Sequence, residues 1–491
     1  MQTNSLKTLS IHEIQAGYEN GTLTPEALIE LIIERAEADK DFNIWISPPS
    51  WSFIRSYIDN HLKDKEYKLQ QFSEIVDINV GTLSAIIRGT RLISMNQLDQ
   101  ITSAIGLEQG YFYDMYGVEC FIESAPHWRR LEPFIYRCAE LGKLDIIQQV
   151  ITHVTDDQSY IDELFDVAES LYNKCMNESA LFIYECVADS EKYQHSERLA
   201  LCQYRIFLLH KTLSKFDNLN VAVKFEPYID KLNEEVQLDA IKDLANVYNT
   251  IHLWDKVEAW ARKLERKAEF QLKIQSRRRK NKRRLTAYPL FTYAAYANLL
   301  ISSVYDTRKE YDKAINYLQK YMEIIEIENP TDEDQKIIDL FKKWGEGNHY
   351  AFQILLGQEN VIFPYLGYLE NNPEEILTGL LNILEAANHY GFNIDHALKK
   401  FEHPINLFNT DFHNKGSYTY QMIDHGYRVF YYELAKYQIN QCNYSIGLDA
   451  LLMCLDLSSS SKDDLLCVKC LDLYGEYRSE ADEIQMKSTK M

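Results

Sequence analysis

Apolar residues recur every three to four positions through most of this chain, a period that predicts helices rather than strands. Between residues 53 and 107 the spacing predicts four short ones. Ile54, Ile58 and Leu62 mark the first, Phe72, Ile75 and Val76 the second, Leu83, Ile86 and Ile87 the third, and Leu98, Ile101 and Ile105 the fourth. Only Asp77 to Asn79 separate the second from the third. A connection that tight fits a motif whose later helix is presented to a groove of DNA. Ahead of this segment, Leu9, Ile11 and Ile14 form a stripe that ends at Gly21. Thr24 and Pro25 then open a helix carrying Leu28, Leu31 and Ile32, and Pro48 and Pro49 close the stretch, since neither continues a helix.

After residue 127 the pattern repeats. A template of packing residues at relative positions 7, 8, 11, 20, 24 and 27 of a helix pair fits four places. One copy is Val167, Ala168, Leu171, Ala180, Tyr184 and Val187; another is Leu244, Ala245, Tyr248, Val257, Ala261 and Leu264. A third is Ile301, Ser302, Tyr305, Ala314, Leu318 and Tyr321, and a weaker one is Leu434, Ala435, Gln438, Gly447, Leu451 and Cys454. A degenerate copy begins at Phe134, 33 residues before Val167, close to the period of about 34 of tetratricopeptide (TPR) units. Small residues at positions 8 and 20 let the paired helices approach; the large ones fill the space to the next pair. Such repeats bind partners along a concave face.

Composition agrees with an all-α chain: 491 residues hold 18 Gly and 11 Pro, with 46% hydrophobic residues. That length exceeds one compact core, so several domains or an extended array are expected. No apolar run is long enough for a membrane span and no signal-peptide layout opens the chain, so the expectation is a soluble, cytoplasmic protein with no membrane partner. Nine cysteines, among them Cys138, Cys175, Cys186 and Cys202, are scattered through helical segments and read as small buried hydrophobes of a reducing compartment. Cys467 and Cys470 form a lone C-x-x-C with no second pair, and no metal or cofactor is expected. His12, His127, His195 and His349 stand apart, and no triad or ligand spacing emerges, which argues against an enzyme. The Ser458 to Ser461 run lacks glycine and reads as a loop between helices.

The net charge of -21 opposes contact with a polyanion, so DNA binding requires a local surface. Residues 50 to 118 supply six Lys/Arg against eight Asp/Glu, which is no basic excess. The exception lies at Lys273 to Arg284, with eight Lys/Arg in twelve positions. This run reads as a solvated loop that neutralises DNA phosphates, docks on an acidic face, or is a mobile insertion.

Residues 53 to 107 resemble the phage-repressor-like helix-turn-helix family of the Cro type. The resemblance rests on Ser73 in the second helix, Ile78 after the turn, Ser84 in the third helix and Gly89 at its close. It implies that Asn79 caps the recognition helix, that Val80, Gly81, Thr82, Ser84 and Ala85 face base edges, and that Arg55, Lys68, Arg88 and Arg91 meet phosphates. The base-facing set holds no Arg, Gln or Asn for a bidentate contact, and Leu69 stands where the family often has a phosphate-contacting glutamine. Residues 5 to 46 resemble the N-terminal helices of amidase-signature enzymes, without the Ser-Ser-Lys core that attack on an amide needs.

From residue 50 onward, the chain resembles the peptide-pheromone-responsive regulators of Gram-positive bacteria and their phages. The implied architecture is all-α: a helical appendage over 1–48, a four-to-five-helix DNA-binding domain over 50–118 and a TPR-like domain over 119–480, with residues 111–140 as the joint. The implied partners are double-stranded DNA, a short signalling peptide or a protein, and a second copy in a homodimer, as in quorum sensing. Asn246 and Asn298 sit on first helices of repeats, where an amide suits a peptide backbone. Tyr293 and Tyr427 are candidates from the 34 tyrosines, Tyr296, Tyr305, Tyr431 and Tyr432 falling on similar helices. Packing within the repeats is the other use of these rings. The rival function is a TPR protein-protein adaptor with a vestigial helix-turn-helix.

Overall fold

The computed structural model describes residues 53–122, 126–155, 157–193, 196–210, 215–277, 286–403, 420–461 and 463–477, with Gly17, Tyr18, Asn20 and Thr24. The expected appendage over 1–48, its amidase-like stretch and most of the basic run 273–284 lie outside the described residues. The rest is helical, with no strand among the described residues, and no helix there is long and apolar enough to cross a membrane. The chain divides into two compact units, Met1–His210 and Lys211–Met491.

In the first unit, α1 (Phe53–Asp64), α2 (Leu69–Val76), α3 (Val80–Ile87) and α4 (Met95–Ile105) close a small core. Ile54, Ile58, Phe72, Val76, Leu83, Ile86, Leu98 and Ile101 fill it, each nearly solvent-free. Ile75 differs from expectation: it turns outward and is 51% exposed, because Phe72 and Val76, one turn apart, already define the buried face of α2. Then come α5 (Tyr113–Gly117) with a π-helical turn (Val118–Ile122), α6 (Trp128–Glu140) and α7 (Leu144–Val154). They do not stand apart from the first four helices. Tyr116 lies against Phe134 of α6 with ring centroids 5.6 Å apart, and Phe121 against Phe134 at 5.1 Å. The Tyr116 hydroxyl donates to the Ile93 carbonyl at 2.7 Å. Asp99 of α4 accepts from Tyr113 at 2.7 Å and from Arg137 of α6 at 2.9 Å. The expected boundary at 118/119 therefore falls inside one shared aromatic nucleus.

Helices α8 (Ile161–Asn173), α9 (Asn177–Ser190) and α10 (Glu197–Leu209) complete the unit. Glu169 of α8 joins all three, taking two 2.8 Å bonds from Arg205 of α10 and one from the Tyr184 hydroxyl of α9. Burial alone would raise its carboxyl pKa, but those donors outweigh it and hold the group below its ordinary value.

The second unit begins with α11 (Lys215–Phe225) and holds the pairs α12 (Glu234–Thr250) with α13 (Trp254–Arg277), and α14 (Leu290–Thr307) with α15 (Tyr311–Ile324). Next come α16 (Asp332–Leu355), α17 (Ile362–Asn371), α18 (Ile376–Tyr390) and α19 (Asp395–Lys400), which the repeat template does not describe. The pair α20 (Tyr420–Asn440) with α21 (Tyr444–Ser460) succeeds them, then α22 (Asp464–Glu476).

Nearly every template residue is buried, Tyr305 and Leu434 being the half-buried exceptions. The small residues do meet: Ser302 at position 8 donates to the Ala314 carbonyl at position 20, at 2.8 Å. A Cβ at Gly447, position 20 of the last pair, would fall 2.7 Å from Ile439 and 3.2 Å from the Ala435 carbonyl. Each pair turns through one residue with positive φ at position 15, namely Cys175, His252, Lys309 and Cys442, and Gly142 in the degenerate copy. The N–H of the following residue reaches back five positions to the end of the first helix, as in Met176 to Leu171 at 3.0 Å and Asn443 to Gln438 at 2.8 Å. The packing template, built on buried positions alone, contains no position for this turn.

Three details depart from the sequence expectation. Cys175, expected as a buried hydrophobe, is exposed because it occupies the left-handed turn between two helices. Ser458 to Ser460 form the last turn of α21 rather than a loop, and Ser458 is buried. Cys470 meets Cys454 of α21 at 3.3 Å between sulfurs, so its near neighbour is in the adjacent helix and not Cys467.

Candidate nucleic-acid interface

Asp77, with φ of 51°, ends α2, and the Ile78 N–H closes on the Ser73 carbonyl at 3.1 Å. One residue later Asn79 opens α3. Its Oδ1 accepts from Gly81 N at 2.9 Å and Thr82 N at 3.4 Å, so two of the free N–H groups at the helix start are satisfied by a side chain. Leu83 and Ile86 anchor the inner face of α3 in the core. The outer face carries Val80, 39% exposed, and Gly81, with Thr82, Ser84 and Ala85 half-buried beside them.

Arg88 and Arg91 are exposed at the far end, and both fold back on the hydroxyls of that face. Arg88 donates to Ser84 Oγ at 2.7 Å and to its carbonyl at 3.3 Å; Arg91 donates to Thr82 Oγ1 at 3.3 Å. Hydroxyls assigned to bases and guanidiniums assigned to phosphates thus form two pairs on one surface. The Ser84–Arg88 pair was legible from its one-turn spacing, whereas Thr82–Arg91 needs the loop after α3. Lys68, just before α2, is exposed.

No protein-family model and no curated protein matches the chain. Among solved structures, the chain is similar to the crystal structure of Bacillus thuringiensis PlcR in complex with the peptide PapR7 and DNA. The match has 12% identity, spans 80% of this chain and 98% of that one, and has a TM-score of 0.19.

Arg55 is placed differently from the phosphate role expected of it. It is half-buried under the loop after α3, against Gly89, and its Nη2 lies 3.4 Å from Glu119 Oε1 in the joint. A charged residue reads as surface in sequence, and its acceptor lies 64 residues away.

The four partner candidates do not form one surface. Tyr293 is fully buried and donates to Asp239 Oδ1 of α12 at 2.5 Å. Asn298 is fully buried, its Nδ2 bonded to the Ala294 carbonyl at 2.9 Å while Oδ1 meets no partner. Tyr427 is 4% exposed within the core around α18 and α20. These three side chains face packing because further helices cover the side that sequence left open. Asn246 alone is partly accessible, and its Oδ1 accepts from the Tyr296 hydroxyl at 2.7 Å.

Proposed function

We propose that this protein is a sequence-specific DNA-binding transcriptional regulator whose helical repeats dimerise and sense a peptide or protein partner. The observation that carries the reading is α3 itself: an eight-residue helix, capped by Asn79 and anchored on one side, with hydroxyls and two arginines on the open side. Seated in a major groove, Arg88 and Arg91 exchange their hydroxyl partners for phosphates. That exchange frees Thr82 and Ser84 to bond base edges, while Val80 and Ala85 meet thymine methyl groups. Lys68 adds a further phosphate contact. The acidic balance of residues 50–118 makes a single head a weak binder, which is the reason for a pair of heads on one duplex.

The test is fluorescence anisotropy of the full chain against duplexes selected from a random library, between about 50 and 200 mM salt. A preferred duplex is expected to keep its preference while affinity falls steeply with salt. Arg88→Ala and Arg91→Ala are each expected to flatten the salt slope by about 1 with the thermal midpoint unchanged. Should no duplex be preferred at low ionic strength, the adaptor reading takes its place. The feature favouring that rival is the lack of any long amide or guanidinium among the base-facing residues.

A further inference from the structure

Where α20, α21 and α22 meet, the second unit holds two buried thiols in direct contact. Cys470 of α22 donates to Cys454 of α21 with the sulfurs 3.3 Å apart. The Cys454 thiol donates in turn to the Arg428 carbonyl of α20 at 3.2 Å. The sulfurs are therefore only roughly 1.3 Å farther apart than in a disulfide. Cys467, one turn before Cys470 on α22, is half-buried.

The surroundings make the two sulfurs unequal. Arg428 is itself buried, its guanidinium donating to Asp424 at 2.8 Å and lying 3.6 Å from Asp463. Ser458, buried one turn after Cys454, has its Oγ 3.9 Å from the Cys454 sulfur. The bond from Cys470 first, then Ser458 and the Arg428 charge, hold the Cys454 thiol below its ordinary value against burial and the Asp463 charge. The same bond, then burial, push the Cys470 thiol up. Cys454 is thus the readier nucleophile. An approach to it exists because α22 is held by one face: Leu466, Cys470 and Leu473 are buried, whereas Leu465, Val468 and Leu471 are exposed. A helix packed on one side opens locally at less cost than an enclosed one.

We infer that Cys454 and Cys470 form a reversible disulfide site, closed by hydrogen peroxide and reopened by a dithiol. The Cys454 sulfur gives up its proton and attacks one peroxide oxygen; the O–O bond breaks, and the departing hydroxide takes that proton as water. The Cys470 sulfur then attacks the resulting sulfenic acid. The S–S bond forms, the S–O bond breaks, and a second water leaves with the Cys470 proton. Two thiols are oxidised and one peroxide is reduced to two waters. Oxidation of Cys454 also removes the thiolate charge that opposes ionisation of Cys470, so the second step follows the first. The bridge ties α22 to α21. It goes beyond the regulator reading and does not rest on it.

Peroxide treatment of the folded full chain, followed by thiol blocking and non-reducing tryptic mass mapping, tests it. Cleavage after Lys462 and Lys469 places Cys454, Cys467 and Cys470 on separate peptides, and fragmentation tells Cys454 from Cys442, which shares its peptide. The expected product is a peptide pair joined through Cys454 and Cys470, two hydrogens lighter than the free peptides and released by dithiothreitol. Cys467→Ser is expected to keep that pair. Cys470→Ser is expected to lose it and to leave a Cys454 sulfenic acid that dimedone traps. The inference is overturned by a bridge through Cys467 in place of Cys454, by the absence of any bridge at Cys470, or by a Cys454–Cys470 bridge that forms only in urea. The wild-type map decides between these outcomes even if Cys470→Ser fails to fold.

Discussion

At Asp77 and at Cys175 the chain takes the same left-handed step, and in both places the next N–H reaches back five residues to close the preceding helix. The two turns differ by one residue in where the new helix starts. In the repeat pairs it begins two positions after the left-handed residue, at Asn177, Trp254, Tyr311 and Tyr444; in the amino-terminal head it begins three positions after, at Val80. The short form lays small residues of one helix onto the other, as Ser302 on Ala314. The longer form inserts Asn79, whose side chain caps a helix that keeps one face open. In the repeats the N-cap residues Met176, Glu310 and Asn443 make no side-chain cap bond. One left-handed turn therefore serves packing or presentation, according to whether a capping residue stands between it and the next helix.

The largest break in that comparison comes from burial. Leu244→Ala, at a repeat position with no exposure, is expected to cost about 2–5 kcal/mol in chemical denaturation, whereas Val80→Ala on the open face of α3 stays within about 0.5 kcal/mol. Glu169→Gln sharpens the picture within the repeats. Its carboxyl is depressed in the folded chain, so its contribution is complete above the ordinary carboxylate value and disappears as pH falls through the folded one. A loss of about 2 kcal/mol at neutral pH is expected from the charge-assisted bonds, fading to nothing in acid; a loss independent of pH would refute the charge account. Asn79→Ala should cost about 1 kcal/mol, while Met176→Ala, with no cap bond to lose, changes thermal stability less. The smallest effect tests the shared step: Lys309→Gly is expected to gain up to about 1 kcal/mol by relieving a left-handed non-glycine residue, and Gly142→Ala to lose a similar amount.

Helix periods and the small-residue template made most of this fold legible, because both report directly which face of a helix touches another. Val167, Ala168 and Leu171 are buried for the reason their spacing suggested. The outer face of α3 was legible too, since a residue set between two core anchors has only one other side. The features that escaped depend on third parties. Tyr293 turns inward because Asp239 of α12 offers its hydroxyl an acceptor, and Arg55 because Glu119 waits in the joint. The stacking of Tyr350 of α16 on Tyr365 of α17 escaped because these helices obey no repeat, so nothing in their spacing announces which rings meet.

The nucleus of Tyr113, Tyr116, Phe121 and Phe134, with Asp99 held between Tyr113 and Arg137, leaves no slack between α4 and the first repeat. A fragment cut after Val118 would lose half the inner wall against which its own aromatic rings rest. The four amino-terminal helices are therefore braced directly on α6, a beam let into a wall rather than a bead on a string.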